Sequence, residues 1–161
     1  YALAVGLRSS YDRSLSVSAT FGSRCFVCDN LAFSGEVSMS RKHTVNVFRD
    51  LPDLIYKMLS QVSSMRERMD AEIAAMKLRE LVPAQAHHLM VEAIRANVLP
   101  ASRLPKVIEA WEEPQHEAFL PRTAWSLFNA FTEVQKTNAP RAQMEGSLRL
   151  SALFRKELAL N

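Results

Sequence analysis

The chain has 161 residues, 48% of them hydrophobic and 23% charged, with only 4 glycines and 7 prolines. That composition fits a globular domain of ordinary size with one core, and it excludes disordered, collagen-like and low-complexity classes. A formal net charge of +3 permits an anionic partner without demanding one.

The first part reads as sheet. Tyr1, Leu3, Val5 and Leu7 alternate with Ala2, Ala4, Gly6 and Arg8, the period of a half-buried strand. Ser9 to Ser14 is polar and turn-like. Leu15, Val17, Ala19 and Phe21 then alternate with serines and a threonine, so the two segments predict a hairpin. Arg24 to Val27 predicts a third short strand. Turns follow at Asp29-Asn30 and Ser34-Gly35, and Leu31 to Met39 predicts a fourth strand. Because the chain opens inside a strand pattern at Tyr1, the expectation is that an N-terminal part precedes it.

The second part reads as helix. Asp50 is placed as a cap, Pro52 in the first turn, and one long helix from Leu51 to about Leu81. Its stripe of Leu51, Ile55, Met58, Val62, Met65, Met69, Ile73 and Met76 steps by threes and fours. Pro83 starts a second helix with Ala86, Leu89, Met90, Ala93 and Ile94 inward. Ser102 is expected to cap a third, ending at Trp111. Glu112 to Arg122 reads as a loop. Thr123 caps a fourth helix carrying Trp125, Phe128, Phe131 and Val134, Asn138-Ala139-Pro140 breaks it, and Leu148 to Leu160 forms the last. The expected fold is a single α+β domain over residues 1–161, with a small antiparallel sheet in 1–42 packed on a helical half in 50–161.

Two cysteines do not make a secreted disulfide framework, no signal-peptide pattern is visible, and the apolar runs are too short to span a membrane. A cytoplasmic location is the expectation. Cys25 and Cys28 form a lone Cys-x-x-Cys in strand-like sequence. A redox pair usually sits at a helix start and a structural zinc needs two more ligands, so two half-buried cysteines are the simpler reading. His87 and His88 are adjacent on a helix and diverge by about 100°. His116 lies among Glu112, Glu113 and Glu117 in a polar loop. Paired carboxylates, a glycine-rich phosphate loop and a nucleophile elbow are all missing from the sequence. The prediction is a non-enzymatic protein needing no metal or cofactor.

The basic residues form the most suggestive set. Arg8, Arg24, Arg41, Lys42 and Arg49 fall in or beside the sheet half, with Tyr11 and Phe33 interleaved. Cations for phosphates and rings for stacking are one means of holding single-stranded nucleic acid. The alternative is a solvated sheet face whose aromatics belong to the core. The methionine stripe, if incompletely covered, predicts a homo-oligomer.

At Phe26-Val27-Cys28-Asp29-Asn30-Leu31-Ala32-Phe33-Ser34-Gly35-Glu36, then Arg41-Lys42-His43-Thr44 and Arg49-Asp50-Leu51-Pro52, the sequence resembles family 932 of the domains of unknown function. The segment Thr123 to Glu133 fits a later motif, and the likeness reaches to about Lys136. The resemblance implies a C-terminal portion of a longer family member and a phage or plasmid context, with roles in replication, recombination or conflict with host defence. It implies no catalytic residues. Two functions follow as expectations. One is a nucleic-acid-binding protein, assisting recombination or annealing of single-stranded DNA. The other is a protein-interaction module that inhibits a host defence complex, in the manner of anti-CRISPR proteins.

Overall fold

Period-2 alternation in the first segments builds strands. The structure is a computed structural model that describes residues 2–8, 16–24, 31–42 and 46–159. Strands β1 (Ala2–Arg8), β2 (Val17–Arg24) and β3 (Leu31–Arg41) pair antiparallel in the order β1-β2-β3. Leu7 is opposite Ala19 and Val5 opposite Phe21, so the apolar sets of β1 and β2 coincide in register. Along β3 the register shifts. Thr20 pairs with Val37 and Gly22 with Phe33. Two steps of β2 therefore match four of β3, and the Ser34-Gly35-Glu36 stretch takes up the excess. The turn expected at Ser34-Gly35 is instead an irregularity inside one strand, which a small serine and a glycine tolerate. Arg24, expected to open a third strand, closes β2; the rest of that expected strand, residues 25–27, lies outside the described residues, as do the turns at 9–14 and 29–30.

Six α-helices follow among the described residues: α1 (Val47–Leu59), α2 (Val62–Leu78), α3 (Pro83–Arg95), α4 (Leu104–Glu112), α5 (Ala124–Gln135) and α6 (Pro140–Leu158). This corrects the expected α+β class with its sheet half, helical half and one long helix. Helix is the dominant element, the sheet is a minor piece, and the long helix is two. The break falls at Ser60-Gln61. There the Gln61 N–H bonds back to the Met58 carbonyl, and the Ser60 hydroxyl donates to the Lys57 carbonyl at 2.8 Å. A serine side chain competing for backbone groups is a local alternative to a continuous helix. The helix also begins earlier than expected, with Asn46 at its N-cap and Asp50 in its first turn.

The remaining starts follow end chemistry. Pro83 and Pro140 occupy first-turn positions, where a missing N–H costs nothing. Pro140, expected to act as a breaker, thus starts α6 well before Leu148. Ser102 does not cap α4. It lies in a short 3-10 turn, Ala101–Arg103, and Arg103 is the N-cap. Thr123 does cap α5, its hydroxyl accepting from the Ser126 N–H at 3.3 Å. A second short 3-10 turn, Glu117–Phe119, lies inside the expected loop.

Two apolar clusters hold these elements. The large one runs through α2 to α6 and includes Met69, Ile73, Met76, Leu89, Met90, Val107, Leu127, Phe131, Leu150 and Phe154. The small one joins Ala19 of β2 to Met58 of α1 and Met65 of α2, with Leu51 and Val62 packed on it. The predicted methionine stripe is buried along α2, whereas Ile55 is exposed. Helix α5 is at the centre, touching α2, α4 and α6. It is buried on nearly every face, and two of its polar side chains bond to its own backbone within the core: Asn129 Nδ2 donates to the Trp125 carbonyl at 2.8 Å and Thr132 Oγ1 to the Asn129 carbonyl at 3.0 Å. The buried Gln135 Oε1 has no hydrogen-bond partner among the described residues. Strand β3 touches α6 and α1, which seats the sheet on the helices.

Candidate nucleic-acid interface

The antiparallel register decides which of the predicted cations come together. Arg8 closes β1 and is opposite Ser18. Ser18 is opposite Ser40, and Arg41 is opposite Val17. Arg8, Arg41 and the adjoining Lys42 therefore share one end of the sheet. Ser40 and Ser16 tie that end across the strands, Oγ to Oγ at 3.1 Å. Arg41 and Lys42 are exposed, and neither forms an ion pair with another described residue. Arg49 sits in the first turn of α1, the helix that touches β3. Its Nε is 3.3 Å from Asp50 Oδ1, with the arginine side chain 75% exposed, so the pair is worth little and leaves the cation available to solvent.

The same register separates the rest. Arg24 closes the opposite end of β2, paired with Ala2 and Leu31, and Phe33 lies near it opposite Gly22. Tyr11 is outside the described residues. By register the predicted set divides: Arg8, Arg41 and Lys42 stand at one sheet end, Arg49 on α1, and Arg24 and Phe33 at the far end. The 8 residues of β2 put about 25 Å between those ends, at roughly 3.3 Å per residue.

A second basic surface was not foreseen from the sequence. Arg95, Arg149 and Lys156 line a groove of about 410 Å³ between α3 and α6. Each has a carboxylate close by: Glu92 at 2.7 Å from Arg95, Glu145 at 3.9 Å from Arg149 and Glu157 at 3.1 Å from Lys156. The Lys156 ammonium, aided by His88, holds the Glu157 carboxyl below its ordinary range. The i, i+3, i+7 signal was present in α6 at Arg149, Ala152 and Lys156, but the groove depends on α3 packing beside it. Its charge is more fully answered than that at the sheet end.

Among the described residues, no three of His, Cys, Asp and Glu converge as metal ligands. Cys25, Cys28 and His43 lie outside them. His87 is exposed, His88 Nε2 is 3.6 Å from Glu157 Oε2, and His116 meets the Phe119 ring edge-on at 6.1 Å. Among the described residues, no helix is long and apolar enough to cross a membrane.

The family model described as Domain of unknown function (DUF932) matches residues 3–154, nearly the whole chain. No curated protein matches the chain, and no solved structure does.

Proposed function

The chain belongs to the DUF932 family, and from that premise we propose that it is a non-enzymatic nucleic-acid-binding protein of a phage or plasmid, holding single-stranded DNA in recombination or annealing. The observation that carries this reading is the exposed Arg41-Lys42 pair sharing a sheet end with Arg8. Such cations neutralise phosphates and release condensed counterions, a favourable term that weakens as salt rises. Arg49 adds a fourth charge nearby. Arg24, at the other end of β2, would meet a different phosphate of the same strand, and the reading assigns stacking to Tyr11 and Phe33.

Fluorescence anisotropy with a labelled single-stranded oligonucleotide tests it. Substituting Arg41 and Lys42 together by alanine is expected to weaken binding about tenfold at low salt. It should also flatten the slope of log affinity against log salt by about 0.7 for each phosphate that is no longer neutralised. Absence of binding at low salt, or an unchanged slope in the double variant, would sink the reading.

A second reading, a protein-interaction module that inhibits a host defence complex, is favoured by a different observation. Helix α1 exposes Ile55, Tyr56 and Leu59, with Tyr56 78% exposed, an apolar strip on the surface of that helix. Pull-down from host lysate after nuclease treatment separates the two. A stoichiometric protein partner that no longer binds the Tyr56→Ser variant supports the second reading, whereas recovery of nucleic acid alone supports the first.

A further inference from the structure

A cleft of about 520 Å³ opens between α4, the 113–119 segment and α5. Its size is that of a small-molecule site. The floor comes from the central helix: Ser126 and Asn129 line the cleft although they are only 4% and 2% exposed. Ala110, Ala130 and Phe119 supply an apolar wall between floor and rim.

The rim is unbalanced in charge. Glu109 and Glu113 come from α4 and its C-terminal end and Glu133 from α5, against the single ammonium of Lys106. Glu133 has Lys136 at 2.7 Å. Glu109 and Glu113 form no ion pair with another described residue. Glu113 is the C-cap residue of α4, four positions after Glu109, and both carboxylates line the same cleft, where like charges repel. A cation entering the cleft would relieve that repulsion, while the aliphatic part of the same molecule would cover the alanines and Phe119. An anion would meet three carboxylates.

We propose that this cleft binds a small organic cation, an ammonium or guanidinium group on an aliphatic stem. The charged group lies between Glu109, Glu113 and Glu133, and the stem reaches toward Asn129. The site is separate from the sheet-end cations and has the opposite charge preference, so it does not depend on the nucleic-acid reading.

Titration of isotope-labelled full chain with agmatine, followed by NMR, tests it, with glutarate as an anionic control of similar length. Agmatine is expected to shift the Asn129 side-chain amide and the Ala110 and Ala130 methyls at millimolar concentration, and glutarate is expected not to. Glu109→Gln with Glu113→Gln should weaken agmatine binding about tenfold, with the rest of the spectrum unchanged. Ala110→Leu, which narrows the cleft and leaves every charge in place, should abolish the shifts. Absent shifts, shifts of equal size with glutarate, or shifts that survive both variants would overturn the proposal.

Discussion

Phe131→Ala is expected to cost about 3–5 kcal/mol of folding stability. The ring is 0% exposed at the middle of α5. It meets Phe154 of α6 edge-on at 6.3 Å, and Phe154 in turn meets Phe128 at 5.2 Å. Truncation removes the transfer free energy of a benzyl group and leaves a void walled by other rings, which collapse poorly because each is held by its own helix. Urea unfolding monitored by circular dichroism measures the effect as a lower midpoint at unchanged slope. Leu78→Ala is the comparison, since Leu78 is 84% exposed and should change stability by less than about 0.5 kcal/mol. A loss below about 1 kcal/mol for Phe131→Ala would show that α5 is not the centre of the core.

Gly146→Ala reverses the usual sign of its substitution. In an exposed helix interior, alanine is favoured over glycine by about 1 kcal/mol. Gly146 is inside α6, but a Cβ there would come within 2.9 Å of Gln135 Nε2 and 3.0 Å of the Val98 carbonyl oxygen. Neither neighbour retreats easily. Gln135 is 1% exposed and donates to that same carbonyl at 3.3 Å, and the carbonyl is backbone. The added methyl is therefore expected to destabilise by about 1–3 kcal/mol, read as a lower midpoint in thermal or urea unfolding. Gly146→Ala combined with Gln135→Ala distinguishes the two obstacles: partial recovery assigns the clash to the amide, and no recovery assigns it to the Val98 backbone. A stabilised single variant would contradict the close approach of α5 and α6.

Local signals were the legible part of this molecule. The hairpin alternation of Val5, Leu7, Ala19 and Phe21 could be read directly. So could Thr123 as a cap, Pro83 as a helix start and the methionine stripe of α2, because each depends on residues within a few positions. What failed depended on partners far along the chain. The stripe from Leu51 to Met76 runs through Ser60-Gln61 without a change of period, so periodicity alone joined two helices into one. The Ser34-Gly35 pair carries turn chemistry, yet pairing with β2 keeps it inside a strand. Pro140 terminates one pattern and starts another, and only the first role is visible from the residues before it. The cations of the sheet half were found by composition, but only the register showed that Arg8 joins Arg41 and Lys42 while Arg24 does not. The α4–α5 cleft gave no sequence signal. Glu109 and Glu113 look like a solvated helix face until α5 brings Glu133 across from them.

Helix α2 is a shared beam between two cores of unequal size. Met65 belongs to the small cluster with Ala19 and Met58, and Met69, one turn later, belongs to the large one. Opening free energies in a folded chain scale with the apolar area each unit keeps from water. The small cluster should therefore release first, hinged at Ser60-Gln61, with the C-terminal turns of α2 still anchored. Strand β3 has a second tether in α6, so α1 detaches more readily than the sheet. Amides of α1 should then exchange with deuterium faster than those of α5 by several decades, and a protease should cut near Ser60 before any site within α3 to α6. Uniform exchange across α1 and α5 would mean that the two cores melt as one. If the sheet end does hold nucleic acid, the ligand would slow exchange in α1 and leave α5 untouched, turning the weaker core into a reporter of occupancy.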